Sequence, residues 1–201
     1  MSSKGAIGPR RRGAALESAI LDAGWDQLIE AGFERFTIDA VAERSSAARS
    51  VLYRRWPSRL GLLEAVIRHR GQTDAIPTPD TGSLRGDVLA LLTEFNDRRS
   101  RIVGLIAARL GAYYDETGGS PRELRTWFMP DGPSAMVTIV ERAVAKGELP
   151  VTPPARIIAL PADLVRHELL MTMTAATPET IIEIVDEVFL PLAMQFGKAT
   201  A

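Results

Sequence analysis

Apolar residues recur at helical spacing along almost the whole chain, and this periodicity constrains the fold more than any other feature. In residues 14–31, for example, Leu16, Ile20 and Leu28 lie on one side of a predicted helix. Alternation with a period of two, which is typical of strands, is rare. Clusters of glycine and proline separate the periodic segments. The sequence therefore predicts an all-α protein of about nine helices.

The bounds of the predicted helices follow from the residues that can begin and end them. Thr37 and Ser58 are suited to cap the helices that follow them, and Gly32 is suited to end the first helix. The predicted helices cover residues 14–31, 38–44, 48–55, 59–71, 83–99, 101–114, 121–128, 133–147, 154–174 and 178–196.

Charge divides the chain into two parts. Residues 1–70 contain 12 Lys and Arg against 8 Asp and Glu, whereas residues 71–201 contain 12 against 17. Proline and glycine are frequent in residues 73–83, where this balance changes. We therefore expect a flexible basic arm over residues 1–13, one domain over residues 14–71 and a second domain over residues 72–201.

Several classes of function are disfavoured by what the sequence lacks. It contains no Cys and two His, which argues against thiolate catalysis and against metal sites built from these residues. It also lacks a phosphate-binding loop, a dinucleotide fingerprint and a nucleophile elbow, so an all-helical enzyme is a distant alternative. We expect no cofactor and no metal. Without an apolar run of about 18 residues or a secretory signal, we expect a cytoplasmic protein that does not associate with membranes.

A basic run lies between Arg44 and Leu63, where five Arg occur without an acidic residue. Charge alone is equally compatible with a polyanion-binding surface and with a solvated helix face. The run overlaps two short predicted helices that are joined by a tight turn. Helices of this length are not stable alone, so we expect both to pack on the longer helices around them.

The second short helix is predicted to present polar residues outward. Leu52, with Ala48 one turn earlier, is expected to point inward, as are Ile38, Val41 and Ala42 of the first helix. The outer face then carries Arg49, Ser50, Tyr53 and Arg54. Arg can bind a guanine edge through two hydrogen bonds, Ser can bond to bases, and a Tyr hydroxyl can reach phosphate. This pattern predicts a helix-turn-helix whose second helix enters the major groove.

Residues 37–42 (TIDAVA) and 49–59 (RSVLYRRWPSR) resemble the DNA-binding signature of the TetR family of transcriptional regulators, and the resemblance extends over roughly residues 14–68. It implies an N-terminal three-helix DNA-binding domain and a C-terminal helical domain for ligand binding and dimerisation. It also implies that the partner is a near-palindromic double-stranded DNA operator. The residues implied to contact DNA are Thr37, Ser46, Arg49, Ser50, Tyr53, Arg54 and Arg59.

The turn between the short helices departs from the family pattern, which usually has Gly-Val-Ser where this chain has Ser46, Ala47 and Ala48. Ser46 must form the turn without the freedom that glycine has at positive φ. Because Ala48 replaces the usual Ser cap, we expect Ser45 or Ser46 to cap the second helix instead.

The last predicted helix has an apolar face that is wider than one core contact requires. The resemblance implies that this helix and the one before it pair with a second copy in a four-helix bundle, whereas an internal core helix is the alternative. The residues expected at the dimer interface are Leu164, Ile181, Val185, Val188, Phe189, Leu192 and Phe196.

The resemblance also implies a small-molecule effector that releases the protein from DNA, so that the protein acts as a repressor. Large or polarisable side chains of the second part could line an apolar cavity, although ordinary core packing is favoured for each of them taken singly. The candidate ligand-binding residues are Phe95, Tyr113, Trp127, Met136, His167 and Met171. A second domain that binds a protein partner, or no ligand, is the alternative.

Overall fold

The computed structural model describes residues 9–128 and 134–196, and for residues 9–12, 99 and 101–109 it describes the backbone. Helices and their connections make up these residues, with no strand among them, which confirms the predicted all-α class. The helices are α1 (Pro9–Ala31), α2 (Ile38–Arg44), α3 (Arg49–Arg55), α4 (Arg59–Thr73), α5 (Leu84–Arg109), α6 (Gly111–Thr117), α7 (Pro121–Phe128), α8 (Ala135–Ala145), α9 (Ala155–Thr172), α10 (Pro178–Glu183) and α11 (Leu190–Gln195).

Three differences from the predicted helix bounds exceed the one or two residues by which most other helix ends differ. Helix α1 begins at Pro9, so the prediction of a flexible arm is wrong for residues 9–13, while residues 1–8 lie outside the described residues. Helix α5 continues through residue 100, where a break was predicted, because no glycine or proline interrupts it there. A π-helical segment (Ile184–Phe189) joins α10 to α11, so the predicted last helix is one run of three consecutive segments.

Side-chain caps explain where several helices begin. Thr37 Oγ1 accepts a hydrogen bond from the Ala40 amide at 3.1 Å, and Ser58 Oγ accepts one from the Gly61 amide at 3.1 Å. Each bond satisfies an amide that has no partner within its own helix. The two predicted caps at Thr37 and Ser58 are therefore confirmed, and they position the helices on either side of α3.

The described residues form two compact units, of which the first contains α1–α4 together with α6 and α7. Its core includes Trp25, Phe33 and Phe36, together with Val41 of α2 and Leu52 of α3. The predicted division at residues 71 and 72 assigns α6 and α7 to the second domain, whereas they pack within the first unit. Aromatic contacts explain this, because the Tyr113 ring of α6 meets the Phe33 ring edge-on at 5.5 Å.

The second unit contains most of α5 together with α8–α11, and its apolar core includes Val88, Val140, Val165 and Phe189. No helix in the described ranges is both long enough and apolar enough to cross a membrane.

One acid is buried in the second unit. Asp87, which is 2% exposed, accepts hydrogen bonds from the Thr81 amide at 2.5 Å and from Arg142 Nη2 at 2.9 Å. Burial raises the pKa of Asp87, but the hydrogen bonds from Thr81 and the Arg142 guanidinium outweigh burial, so this pKa lies below its ordinary value. The ionised Asp87 therefore ties the segment before α5 to α8.

Candidate nucleic-acid interface

Helix α2 supports the candidate interface from behind. Its buried side chains are Ile38, Val41 and Ala42, as the sequence predicted. Asp39 lies in its first turn, where the positive end of the helix dipole favours a carboxylate. Thr37 is exposed at the start of α2, so its backbone and hydroxyl lie at the surface that precedes the turn.

The turn between α2 and α3 depends on serine where glycine is expected. Ser46 has φ 53°, which lies in the left-handed region that non-glycine residues rarely adopt. The Ser45 hydroxyl donates to the Val41 carbonyl at 2.7 Å, so it closes α2 and does not cap α3. The expected shift of the cap to Ser45 or Ser46 is wrong, because Ala48 is the N-cap of α3 and no side chain caps this helix. Ala48 is also exposed and does not point inward as predicted.

Helix α3 has seven residues, of which Leu52 alone is buried. Leu52 is 0% exposed, whereas Tyr53 is 48% exposed. Arg49, Ser50 and Arg54 are also exposed, so the predicted outward face of α3 is confirmed. An α-helix that buries one apolar residue and presents Arg, Ser and Tyr has the shape and the donors that a major groove accepts.

Acidic residues from other helices neutralise much of the basic run. Arg49 Nε lies 3.3 Å from Asp39 of α2, and Arg55 Nη2 lies 2.7 Å from Glu17 of α1. A third pair joins Arg44 to Glu30 of α1 at 2.5 Å. These pairs are exposed or half-buried, and such pairs exchange readily with other anions.

Arg59 is the most enclosed of the residues implied to contact DNA. Its guanidinium carbon lies 3.7 Å from the centre of the Phe33 ring, and its Nη2 lies 3.1 Å from Glu116 of α6. Sequence reasoning missed both contacts, because Glu116 lies 57 residues away and no local pattern relates it to Arg59. The role of Arg59 in phosphate binding stays a prediction.

Two family models match the chain. The one described as "Bacterial regulatory proteins, tetR family" matches residues 20–66, which include α2 and α3. The one described as "Tetracyclin repressor-like, C-terminal domain" matches residues 78–188, more than half of the chain. The chain belongs to the TetR family. Members of this family are DNA-binding transcriptional regulators and not enzymes, so the regulator class predicted from residues 37–59 is confirmed.

Individual relatives agree with this membership. An uncharacterized HTH-type transcriptional regulator of Mycobacterium tuberculosis is 30% identical over 180 residues, which cover 87% of this chain and 86% of that protein. The DNA-binding transcriptional repressor TetR of Mycobacteroides abscessus is 27% identical over 185 residues, which cover 90% of this chain and 95% of that protein. The structure of the flavonoid-responsive regulator FrrA shares the fold, with a TM-score of 0.56, 21% identity, and coverage of 93% of this chain and 97% of that one.

The candidate effector residues of this TetR-family protein are divided between the two compact units. Tyr113 and Trp127 belong to the first unit, where their rings are 6.0 Å apart. Burial raises the pKa of Tyr113, and Glu123, whose carboxylate lies 3.4 Å from its hydroxyl, raises it further, so this hydroxyl stays protonated. Two members, Tyr113 and Trp127, therefore lie next to each other in the first unit.

The other four candidates lie in the second unit. Met136 is buried in its core and Phe95 is half-buried against that core. His167 and Met171 are exposed, and Met171 is 68% exposed, so neither lies in an apolar interior as the sequence suggested. His167 and Met171 are four positions apart and therefore lie on the same, solvent-facing side of α9. The sequence pattern did not distinguish this side from the side that faces the core.

The candidate dimer residues also separate by burial. Ile181, Val185 and Phe189 are buried in the core of their own chain, which leaves them no side-chain surface for a partner. They are corrected to core residues. The residues that keep accessible surface are Leu164, Val188 and Leu192, which are half-buried, and Phe196, which is 42% exposed.

Proposed function

We propose that this TetR-family protein is a cytoplasmic, dimeric repressor that binds a near-palindromic operator through α3 and is released by an apolar small molecule. The observation that carries the proposal is the exposed Arg49, Ser50, Tyr53 and Arg54 face of α3, anchored by the buried Leu52. In a two-fold dimer, the two α3 helices would enter successive major grooves about 34–36 Å apart.

The DNA-binding step is tested with duplexes selected from a random pool by the purified protein. Arg49→Ala and Tyr53→Ala are expected to reduce affinity for the selected duplex, since each removes one exposed contact group of α3. Arg68→Ala is the matched control, because it removes an exposed arginine from α4, outside the proposed surface. Wild-type affinity in both α3 variants would refute this proposed surface.

Salt dependence distinguishes phosphate binding from other attachment. If a dimer contacts six or more phosphates, affinity for the selected duplex is expected to fall by about a thousandfold between roughly 50 and 200 mM salt. An affinity that is independent of salt would contradict a DNA interface built from arginines.

The dimer is proposed to form through the accessible apolar residues of α9 and the last helix. Val188, Leu192 and Phe196 follow one another at four-residue spacing, which places them on one side of the helix. Leu192→Arg is expected to yield monomers in sedimentation equilibrium and to abolish tight operator binding. Gln195→Arg adds the same side chain at an exposed polar position of α11 and is expected to leave the dimer intact. A dimeric Leu192→Arg variant would refute this interface.

The effector is proposed to contact Tyr113 and Trp127, because their rings lie 6.0 Å apart, one carries a neutral hydroxyl and the other is half-buried. The fold shared with a flavonoid-responsive regulator makes flavonoids the first compounds to test. Binding is measured as release of a labelled operator, with Trp127→Leu expected to reduce the response. An effector can only act through different affinities for the DNA-bound and free states.

A second domain that binds a protein partner is the alternative to a small-molecule effector. It is favoured by exposed apolar side chains at the end of α9 and in α10, namely Leu170, Met171, Met173 and Ile182. A compound that releases the operator from the wild-type protein but not from Trp127→Leu would favour the small-molecule function over this alternative.

A further inference from the structure

A carboxylate of α2 contacts the arginine at the start of α3. Asp39 lies in the first turn of α2, and its Oδ1 is 3.3 Å from Arg49 Nε. The Arg49 side chain is 70% exposed, so this contact at Nε leaves most of the side chain accessible. The contact therefore links the scaffold helix to the helix that is proposed to enter the groove.

The Asp39 carboxylate needs a donor at this position. Its Oδ1 is shielded from solvent and accepts no hydrogen bond from any described group. A shielded anionic oxygen is unfavourable without a donor, and the Nε–H of Arg49 is already within ion-pair distance. A small rotation of the arginine side chain would turn this contact into a charge-assisted hydrogen bond.

A guanidinium held at Nε keeps its two terminal nitrogens available. Those two nitrogens form the donor pair that can bind O6 and N7 of guanine together. We infer that Asp39 is a positioning residue that orients Arg49 toward a guanine in the major groove and so sets base specificity. This inference rests on the proposed DNA-binding function of α3.

Positioning and simple repulsion have opposite consequences for DNA binding. Asp39 is an acid near the proposed phosphate-facing surface, so its removal is expected to leave affinity for unrelated duplexes unchanged or higher. If Asp39 also positions Arg49, its removal lowers discrimination for guanine. The inference therefore predicts lower specificity without lower general affinity, a combination that lost folding would not produce.

The experiment starts from the duplex that wild-type protein selects from a random pool. Each guanine in the half-site is replaced in turn by adenine, and the affinities of wild type and Arg49→Ala are measured. The base read by Arg49 is the guanine whose replacement lowers the affinity of wild type but not that of Arg49→Ala. Wild-type discrimination at that base is expected to be roughly 5- to 150-fold. Asp39→Ala is expected to retain at most a third of it in a protein that still folds. The thermal midpoint is expected to fall only slightly, because the first turn of α2 loses a favourable carboxylate.

Three controls separate the possible outcomes. Glu43→Ala removes an exposed acid from the same helix and is expected to keep wild-type discrimination. Asp39→Ser, which is too short to reach Arg49, replaces Asp39→Ala if that variant does not fold, and the same loss is expected. In an Arg49→Ala background, either change at Asp39 is expected to have no further effect on discrimination.

Wild-type discrimination in the folded Asp39 variant would overturn the inference and leave DNA binding intact. Equal guanine preference in wild type and Arg49→Ala would also overturn it. A wild-type protein that selects no duplex at all would instead refute the proposed function itself, so the two failures are distinguishable.

Discussion

Replacing Leu52 by Ala tests whether one side chain holds the recognition helix on its scaffold. Helix α3 has seven residues and buries only Leu52, which is fully enclosed. A helix this short is not stable in water by itself. Its position therefore depends on the contacts of that side chain with the core beneath it, and Leu52→Ala removes most of them.

The expected loss follows from the burial. Substitution of a fully buried Leu by Ala costs about 2–5 kcal/mol, because the transfer free energy of the removed atoms adds to that of the cavity. We expect a decrease of about 3 kcal/mol in the free energy of unfolding of the first unit. The neighbouring Tyr53 is 48% exposed, so Tyr53→Ala is expected to cost less than about 1 kcal/mol while reducing DNA affinity.

Intrinsic fluorescence suits this measurement, because all three tryptophans, Trp25, Trp56 and Trp127, lie in the first unit. With an m-value of about 1.5 kcal/mol/M, a loss of 3 kcal/mol moves the urea midpoint down by about 2 M. The comparison is made at one fixed protein concentration, since association shifts the midpoint. A midpoint within about 0.3 M of wild type would refute the view that Leu52 anchors α3.

Three further substitutions test other features. Ser46→Gly is expected to raise the free energy of unfolding by about 1 kcal/mol, since glycine adopts positive φ without strain; an unchanged or lower urea midpoint would contradict this. Asp87→Asn is expected to cost about 2–3 kcal/mol at pH 7. The pKa of Asp87 is lowered in the folded protein, so the stability that its ionised carboxylate contributes is present above the ordinary carboxyl pKa and is lost as the pH falls through the native pKa. The melting temperature of Asp87→Asn, monitored by circular dichroism, should therefore fall less than that of the wild type as the pH is lowered. Gly71→Ala is expected to destabilise the first unit by about 1–3 kcal/mol, because the added Cβ would lie 2.0 Å from the Phe128 carbonyl oxygen. Gly13→Ala, where nothing lies within 4 Å, should instead be neutral or stabilising, and equal urea midpoints for these two variants would count against the tight approach of α4 to α7.

The helices nearest the candidate interface were predictable because their signals are local. Thr37 caps α2 from the adjacent position, and the observed bounds Ile38–Arg44 are those that the sequence predicts. Ser58 likewise caps α4 from the adjacent position. Capping and turn residues act within three or four positions, so a single sequence contains all the information that they require.

The dimer and effector residues were less predictable because periodicity identifies an apolar face but not the group that covers it. Phe189 and Phe196 both belong to the last helix that the sequence predicts, 178–196, yet Phe189 is enclosed by its own chain and Phe196 is 42% exposed. Tyr113 packs with Phe33, 80 residues earlier in the sequence, and this contact assigns α6 to the DNA-binding unit. Contacts at such separations leave no mark in local residue patterns.

The acids that pair with the basic run qualify the argument from charge. Between Arg44 and Leu63 the sequence contains no acid, but Glu17, Asp39 and Glu116 reach this region from other helices. Exposed pairs of this kind contribute about 0–1 kcal/mol, so a DNA phosphate can displace Glu17 from Arg55 and Glu116 from Arg59 at little cost. The acids would then keep the free arginine side chains in defined positions and reduce non-specific attraction to phosphate. The interface would thus gain discrimination between base sequences by giving up part of its positive charge. Replacement of one of these acids by a neutral residue should therefore change DNA specificity more than DNA affinity.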